Sequence, residues 1–237
     1  MMIEDFKCSL WDKYDLCLAA HSDVNIIVGI NGSGKTTLLN KLYNELCKKV
    51  EKDLIVYQPS IDNIAMRDKR KTSTALAQDL DYYIYDMKSG PSLMYYRMEM
   101  LDVSDQLQQE RKARIEHLKE TINKFFSVSG KRIEIESNKF WILDNGDKLT
   151  IDSLSSGEKQ LLLILLRVFL LDRKEAYVLI DEPENSLDVE WQYNLVNELV
   201  KLNPHAQYFI TTHSPGIFGD GWGNKVIYMD QITKIKE

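Results

Sequence analysis

The chain has 237 residues, with 30 Lys plus Arg against 36 Asp plus Glu for a formal net charge of −6, 44% hydrophobic residues, 11 Gly and 5 Pro. That is room for one large domain carrying at most an inserted lobe, and the composition excludes a disordered, collagen-like or low-complexity chain. The acidic balance excludes attraction of nucleic acid or anionic lipid by bulk charge, so any nucleic-acid contact would need a local basic patch.

Glu4 and Asp5 stand where a secretory leader needs basic and then apolar residues, so a cytoplasmic chain is expected. Cys8, Cys17 and Cys47 show no CxxC spacing, which suggests neither a disulfide framework nor a zinc site. The alternation over Asp5–Leu10 and the apolar run Ile26–Val28 predict strands. Leu38, Leu39, Leu42, Leu46 and Val50 then recur at helical spacing from Lys35 to Lys49, and Leu54–Tyr57 predicts a buried strand, completing a β-α-β unit.

From about Ile61 to Phe126 the composition shifts towards Gln, Lys, Glu, Met and Tyr, and Leu107, Arg111, Ile115, Leu118 and Ile122 mark a helix over Asp105–Phe126. A helical lobe, 61–126, inserted into a single domain spanning 1–237 is expected. Tyr82, Tyr83, Tyr85, Met94, Tyr95, Tyr96, Met98 and Met100 form either a local core of the lobe or, since such residues are enriched at interfaces, the face by which it docks another protein. Arg67, Lys69, Arg70 and Lys71 form the one dense basic run. After a break at Ser127–Gly130, Arg132–Glu136 and Lys139–Asp144 predict strands, and Asn145-Gly146 is a hairpin signal. A helix from Glu158, a strand at Tyr177–Ile180, a helix over Val189–Leu202 and a strand at Tyr208–Ile210 then alternate, which implies a parallel sheet. The apolar run Leu161–Leu171 is interrupted by Arg167 and is shorter than a membrane span of about 20 residues, so a buried helix is expected.

Gly29-Ile-Asn-Gly-Ser-Gly-Lys-Thr36 fits the phosphate-binding pattern GxxxxGK[ST] between an apolar strand and an amphipathic helix. Gly32 and Gly34 let backbone N–H groups approach a polyphosphate, Lys35 would neutralise its terminal phosphates, and Thr36 would hold Mg²⁺. Asp181 and Glu182 close a buried strand at the edge where open α/β sheets bind ligands. Strand neighbours point opposite ways, so Asp181 is expected on Mg²⁺ and Glu182 on the attacking water. His213 follows a neighbouring strand and could meet the γ-phosphate. Leu154-Ser-Ser-Gly-Glu158 opens the apolar helix with a second set of donors; one nucleotide cannot obviously use both helix starts, so this set is either simple capping or serves a nucleotide held by another subunit.

The order of the P-loop, Gln58, Leu154–Gln160, Tyr177–Pro183, Ser186-Leu187-Asp188 and His213 resembles the ATP-binding cassette ATPase domain. The resemblance implies an α/β P-loop NTPase fold of ABC type: a mostly parallel sheet flanked by helices, an N-terminal antiparallel part and the inserted helical lobe. It further implies two copies sandwiching two ATP molecules head to tail. Asn31, Gly32, Ser33, Gly34, Lys35, Thr36 and Thr37 would contact ATP, and Ser155, Ser156 and Gly157 would complete the partner's site. Gln58 would join Thr36 and Asp181 at Mg²⁺, Asp188 would lie at the dimer seam, and His213 would sense the γ-phosphate beside Lys35 and the catalytic Glu182.

Glu182-Pro-Glu184-Asn185-Ser-Leu, Trp191-Gln192 and Thr212-His213-Ser214-Pro215 look like the soluble OLD, RecF and SMC-related ATPases, although Asp188 stands where many OLD-like sequences have His. Trp11 and Tyr14 are candidates to stack on adenine. The function implied is an ATPase coupled to a separate effector protein in anti-phage defence or genome maintenance; the alternatives are the ATP-binding subunit of a membrane transporter and a DNA-binding repair ATPase.

Overall fold

Residues 2–61, 72–88, 90–136 and 138–236 are described by the structure, a computed structural model. The basic run Arg67, Lys69, Arg70 and Lys71 lies outside the described residues. The chain forms two compact units, Met1–Asn63 with Arg173–Glu237, and Ile64–Asp172.

In the first unit, β1 (Asp5–Leu10) and β2 (Tyr14–Ala19) form an antiparallel hairpin joined on its other edge by β11 (Thr233–Ile235). Three residues join the strands; the first two, Trp11 and Asp12, have positive φ, and the Lys13 N–H bonds back to Leu10 O at 3.1 Å. A five-stranded parallel sheet follows the order β10 (Val226–Tyr228), β3 (Val24–Val28), β9 (Ala206–Thr212), β8 (Ala176–Asp181), β4 (Ile55–Gln58). Every residue of β8 and β9 is buried, the mark of a strand covered on both faces and the reason these stretches are apolar without alternation. Leu54, expected in β4, sits instead in the 3-10 turn Lys52–Leu54 that leads into it.

Helix α1 (Lys35–Lys49) follows β3 and buries Leu38, Leu39, Leu42 and Leu46 in one cluster with Leu10, Leu16, Leu18, Ile27, Leu179 and Phe209. Each such leucine contributes about 2 kcal/mol by leaving water. The predicted helix Val189–Leu202 is present with those bounds, and Tyr208 from β9 closes its C-terminal end: the phenol oxygen lies 2.7 Å from both the Leu199 and Asn203 carbonyl oxygens. Register pairs Val28 with Thr212, Asp181 with Thr211 and Gln58 with Ile180, so the C-terminal ends of four strands meet along one edge.

The second unit holds α2 (Thr72–Tyr85), α3 (Leu93–Met98), α4 (Asp105–Phe126), the antiparallel sheet β5 (Lys131–Glu136), β6 (Lys139–Asp144), β7 (Asp147–Leu149), and α5 (Ser156–Leu170). Leu161 to Leu166 are all buried because α2, α3 and α4 pack around α5, so a helix apolar on every face finds cover. The stripe on α4 begins later than its spacing predicts: Leu107 is exposed, and the buried positions are Arg114, Leu118, Thr121, Ile122, Phe125 and Phe126. Arg114 is buried because its guanidinium lies 5.6 Å from the Tyr96 ring and 5.1 Å from the Phe169 ring, hydrogen-bonds the Tyr96 hydroxyl, and pairs with Asp172. Met94 and Tyr96 are buried, as the local-core alternative has it, whereas Tyr82, Tyr85 and Met98 are exposed.

Candidate functional site

The P-loop spans the end of β3 and the first turn of α1. Gly34 is the N-cap of α1 with φ +95° and Gly32 has φ +81°, both in the left-handed region. A Cβ on Gly34 would also stand 3.0 Å from Leu10 and from the Trp11 ring, so hairpin and P-loop meet where only glycine fits. No side chain caps α1, which leaves its first N–H groups facing outward. Asn31 and Gly32 are exposed at the loop tip, with Ser33, Thr36 and Thr37 half-buried. The Ser33 hydroxyl is buried without a hydrogen-bond partner. An orphaned donor, outward N–H groups and two left-handed glycines fit a polyphosphate.

Lys35 is buried, and its ammonium donates to Gly29 O at 2.8 Å and Ile30 O at 3.3 Å while pairing with Glu182 Oε1 at 3.0 Å. The Thr36 hydroxyl donates to the Asp181 carboxylate at 3.0–3.1 Å, and Thr211 donates to Asp181 Oδ1 at 2.7 Å. Burial pushes the Asp181 carboxyl above its usual range, although Thr211 and Thr36 pull against it. A hydroxyl beside a carboxylate is a hard-oxygen pair that suits Mg²⁺. Gln58, buried at the end of β4 with its amide 3.5 Å from Pro59 O, occupies the same sheet edge.

Strand alternation does not describe Glu182. The strand ends at Asp181, and Glu182 takes a left-handed conformation with φ +45°, so the chain turns and both carboxylates reach the P-loop, one at Thr36 and one at Lys35. Asn185 donates to Glu182 Oε2 at 3.3 Å. His213 Nδ1 lies 3.9 Å from Glu182 Oε1 but 3.1 Å from Glu184 Oε1, which also accepts from the Thr212 hydroxyl at 2.6 Å and the His213 N–H at 2.7 Å. Glu184 thus holds His213, an assignment the sequence reading missed. Its only sequence signal is its place two residues after Glu182 across Pro183.

In the second unit, Ser155 is exposed at the N-cap of α5 in a full capping box: its oxygen accepts from Glu158 N–H at 3.2 Å, and Glu158 Oε2 accepts from Ser155 N–H at 2.7 Å. Ser156 and Gly157 follow, half-buried. Glu158 is buried and also accepts from Ser129 Oγ at 2.8 Å and Lys131 Nζ at 2.9 Å. Burial acts to raise its carboxyl, but Lys131, the Ser155 N–H and Ser129 outweigh it and hold Glu158 below the usual range. Next to it, Lys159 donates to the Asp152 and Leu154 carbonyls at 3.1 and 2.7 Å, and burial lowers its ammonium from the usual lysine range.

The family described as AAA domain, putative AbiEii toxin, Type IV TA system matches residues 80–219. The uncharacterized ABC transporter ATP-binding protein YfmM of Bacillus subtilis is 26% identical over 178 residues, covering 73% of this chain and 34% of its own length. The retron Vc95 probable ATPase of Vibrio cholerae is 34% identical over 85 residues, 31% of this chain and 16% of that protein. This chain therefore spans about a third or less of these two relatives. Among solved structures, the Smc head bound to the C-terminal winged-helix domain of ScpA shares the fold at a TM-score of 0.50 and 11% identity, over 100% of this chain and 98% of that one.

Proposed function

This chain belongs to the family described as AAA domain, putative AbiEii toxin, Type IV TA system, an ABC-type ATPase family with the P-loop fold of the Smc heads, and on that premise we propose that two copies close head to tail on Mg-ATP and hydrolyse it. The observation that carries the reading is the double pairing of the P-loop with the end of β8, Thr36 with Asp181 and Lys35 with Glu182. In this reading Asn31 to Thr37 embrace the phosphates, and Thr36, Asp181 and Gln58 hold Mg²⁺. Bound Mg²⁺ supplies charge neutralisation for the phosphates. Phosphate oxygens take the Lys35 ammonium, which frees Glu182 to orient water and accept its proton, while Glu184 aims His213 at the γ-phosphate. Ser155, Ser156 and Gly157 face the nucleotide of the second copy. The cap uses the Ser155 oxygen as acceptor, so its O–H remains able to donate. Trp11, half exposed beside Gly34, or Tyr14, whose ring lies 6.3 Å from that of Trp11, would meet the base.

We further propose that the domain is single, with 61–126 as its inserted lobe, and that the lobe docks a separate effector in anti-phage defence. Support comes from the retron ATPase relative and from a cavity of about 600 Å³ lined mostly by apolar residues of the lobe, Tyr85, Met87, Met94, Met98, Met100 and Leu101, with Arg97 and with Asn138 from the β5–β6 turn. Glu182→Gln tests the chemistry: nucleotide binding is retained and turnover falls at least a hundredfold, whereas unchanged hydrolysis removes Glu182 from the mechanism. The transporter naming of YfmM favours a second reading, an ATP-binding subunit at a membrane, although no helix among the described residues is long and apolar enough to cross one. Co-fractionation with membranes separates the two.

A further inference from the structure

A capping box can be closed by Glu or by uncharged Gln at its third helical position. Here that position carries a buried, ionised Glu158, a full negative charge in the first turn of α5, where the helix dipole alone offers about half a positive charge. The charge would repel any phosphate brought to Ser155 and Gly157. The adjacent cation Lys159 feels the charge of Glu158, but the hydrogen bonds it donates at 3.1 and 2.7 Å go to the carbonyls of Asp152 and Leu154. The ammonium that meets the Glu158 carboxylate comes from elsewhere in the sequence: Lys131, the first residue of β5, reaches both carboxylate oxygens at 2.9 and 3.1 Å with its side chain 15% exposed.

Resting on the head-to-tail reading, we propose that Lys131 is a positioning residue for ATP hydrolysis in the partner copy: it cancels the charge of Glu158 and so keeps the start of α5 attractive to phosphate. Lys131 itself touches no nucleotide in this scheme. It acts through Glu158, which in turn fixes the Ser155 N–H and receives the Ser129 hydroxyl. The β5–β6 hairpin thereby becomes part of the hydrolytic device, and whatever moves β5 changes the charge presented at the helix start.

The test uses the full chain with Lys131→Met, Lys131→Arg and the double variant Lys131→Met, Glu158→Gln. Turnover is measured across ATP concentrations and divided by the number of nucleotide-binding sites titrated, so that a loss of folded protein does not count as a loss of rate. Lys131→Met is expected to lower kcat per site at least tenfold while leaving the affinity of its own P-loop for ATP unchanged. Lys131→Arg keeps more than half of the turnover, and the double variant regains at least threefold over Lys131→Met, because no uncompensated charge remains. Equal turnover in Lys131→Met and the parent overturns the proposal, as does a double variant no faster than Lys131→Met. If Lys131→Met does not fold, the variant pair Lys131→Gln with and without Glu158→Gln carries the same comparison. Ser155→Arg separates this proposal from the reading beneath it: normal ATPase in Ser155→Arg removes the head-to-tail site altogether, whereas an inactive Ser155→Arg beside a fully active Lys131→Met removes only the role of Lys131.

Discussion

Two helices in this molecule begin in opposite ways. Helix α1 starts at Gly34 with no side-chain cap, and the lysine behind its loop is held by carbonyls and one carboxylate. Helix α5 starts at Ser155 with a complete capping box, a buried Glu158 and two lysines fastened around it. The first start leaves its N–H donors for a ligand and borrows its conformation from glycines. The second satisfies part of its own donors and is rigid before anything arrives. A ligand that must be gripped suits the first, and a surface that must meet something already gripped suits the second.

Substitutions at both starts break or sharpen that contrast. Thr211→Val unties the first site most, since the hydroxyl donates to Asp181 and accepts from the Glu182 N–H; about 1.5–3 kcal/mol of stability should be lost in urea unfolding. Gly34→Ala should weaken nucleotide binding roughly tenfold, because a left-handed residue with a Cβ costs about 1–2 kcal/mol before the clash with Leu10 and Trp11; calorimetric titration reads it, and unchanged affinity would show that this start tolerates an ordinary residue. Ser155→Ala removes the cap of the second and should cost about 1 kcal/mol in unfolding, read by urea titration. The smallest effect is in acid. Glu158 is held below its unfolded value, so its contribution is present above the ordinary glutamate range and is lost as pH falls through the lower folded value. Lys131→Met should therefore move acid unfolding, followed by circular dichroism, to higher pH.

Much of this was legible from residue types alone. The strand, GxxxxGK[ST] loop and helix at 26–49, the α4 and Val189–Leu202 bounds and the parallel sheet, though not the order of its strands, follow from apolar runs and spacing, which act locally. The burial of Arg114 did not, because it depends on the guanidinium finding the Tyr96 and Phe169 rings and Asp172. Lys131 was equally silent, lying 27 residues from the carboxylate it meets. The left-handed turn at Glu182 defeats strand alternation at one residue, and with it the expected parting of Asp181 from Glu182. Glu184 owes its place to the same turn.

The Tyr208 phenol, enclosed between β9 and the last carbonyls of the helix Val189–Leu202, has an optical consequence. Burial drives its ionisation well above that of a free tyrosine. Of the 12 tyrosines in the chain, this one should contribute no tyrosinate absorbance near 295 nm during an alkaline titration for as long as the parallel sheet stays closed. Burial also pushes up the Tyr177 phenol on β8, so the late appearance of these two in the ultraviolet would be an intrinsic, label-free clock for the opening of that sheet.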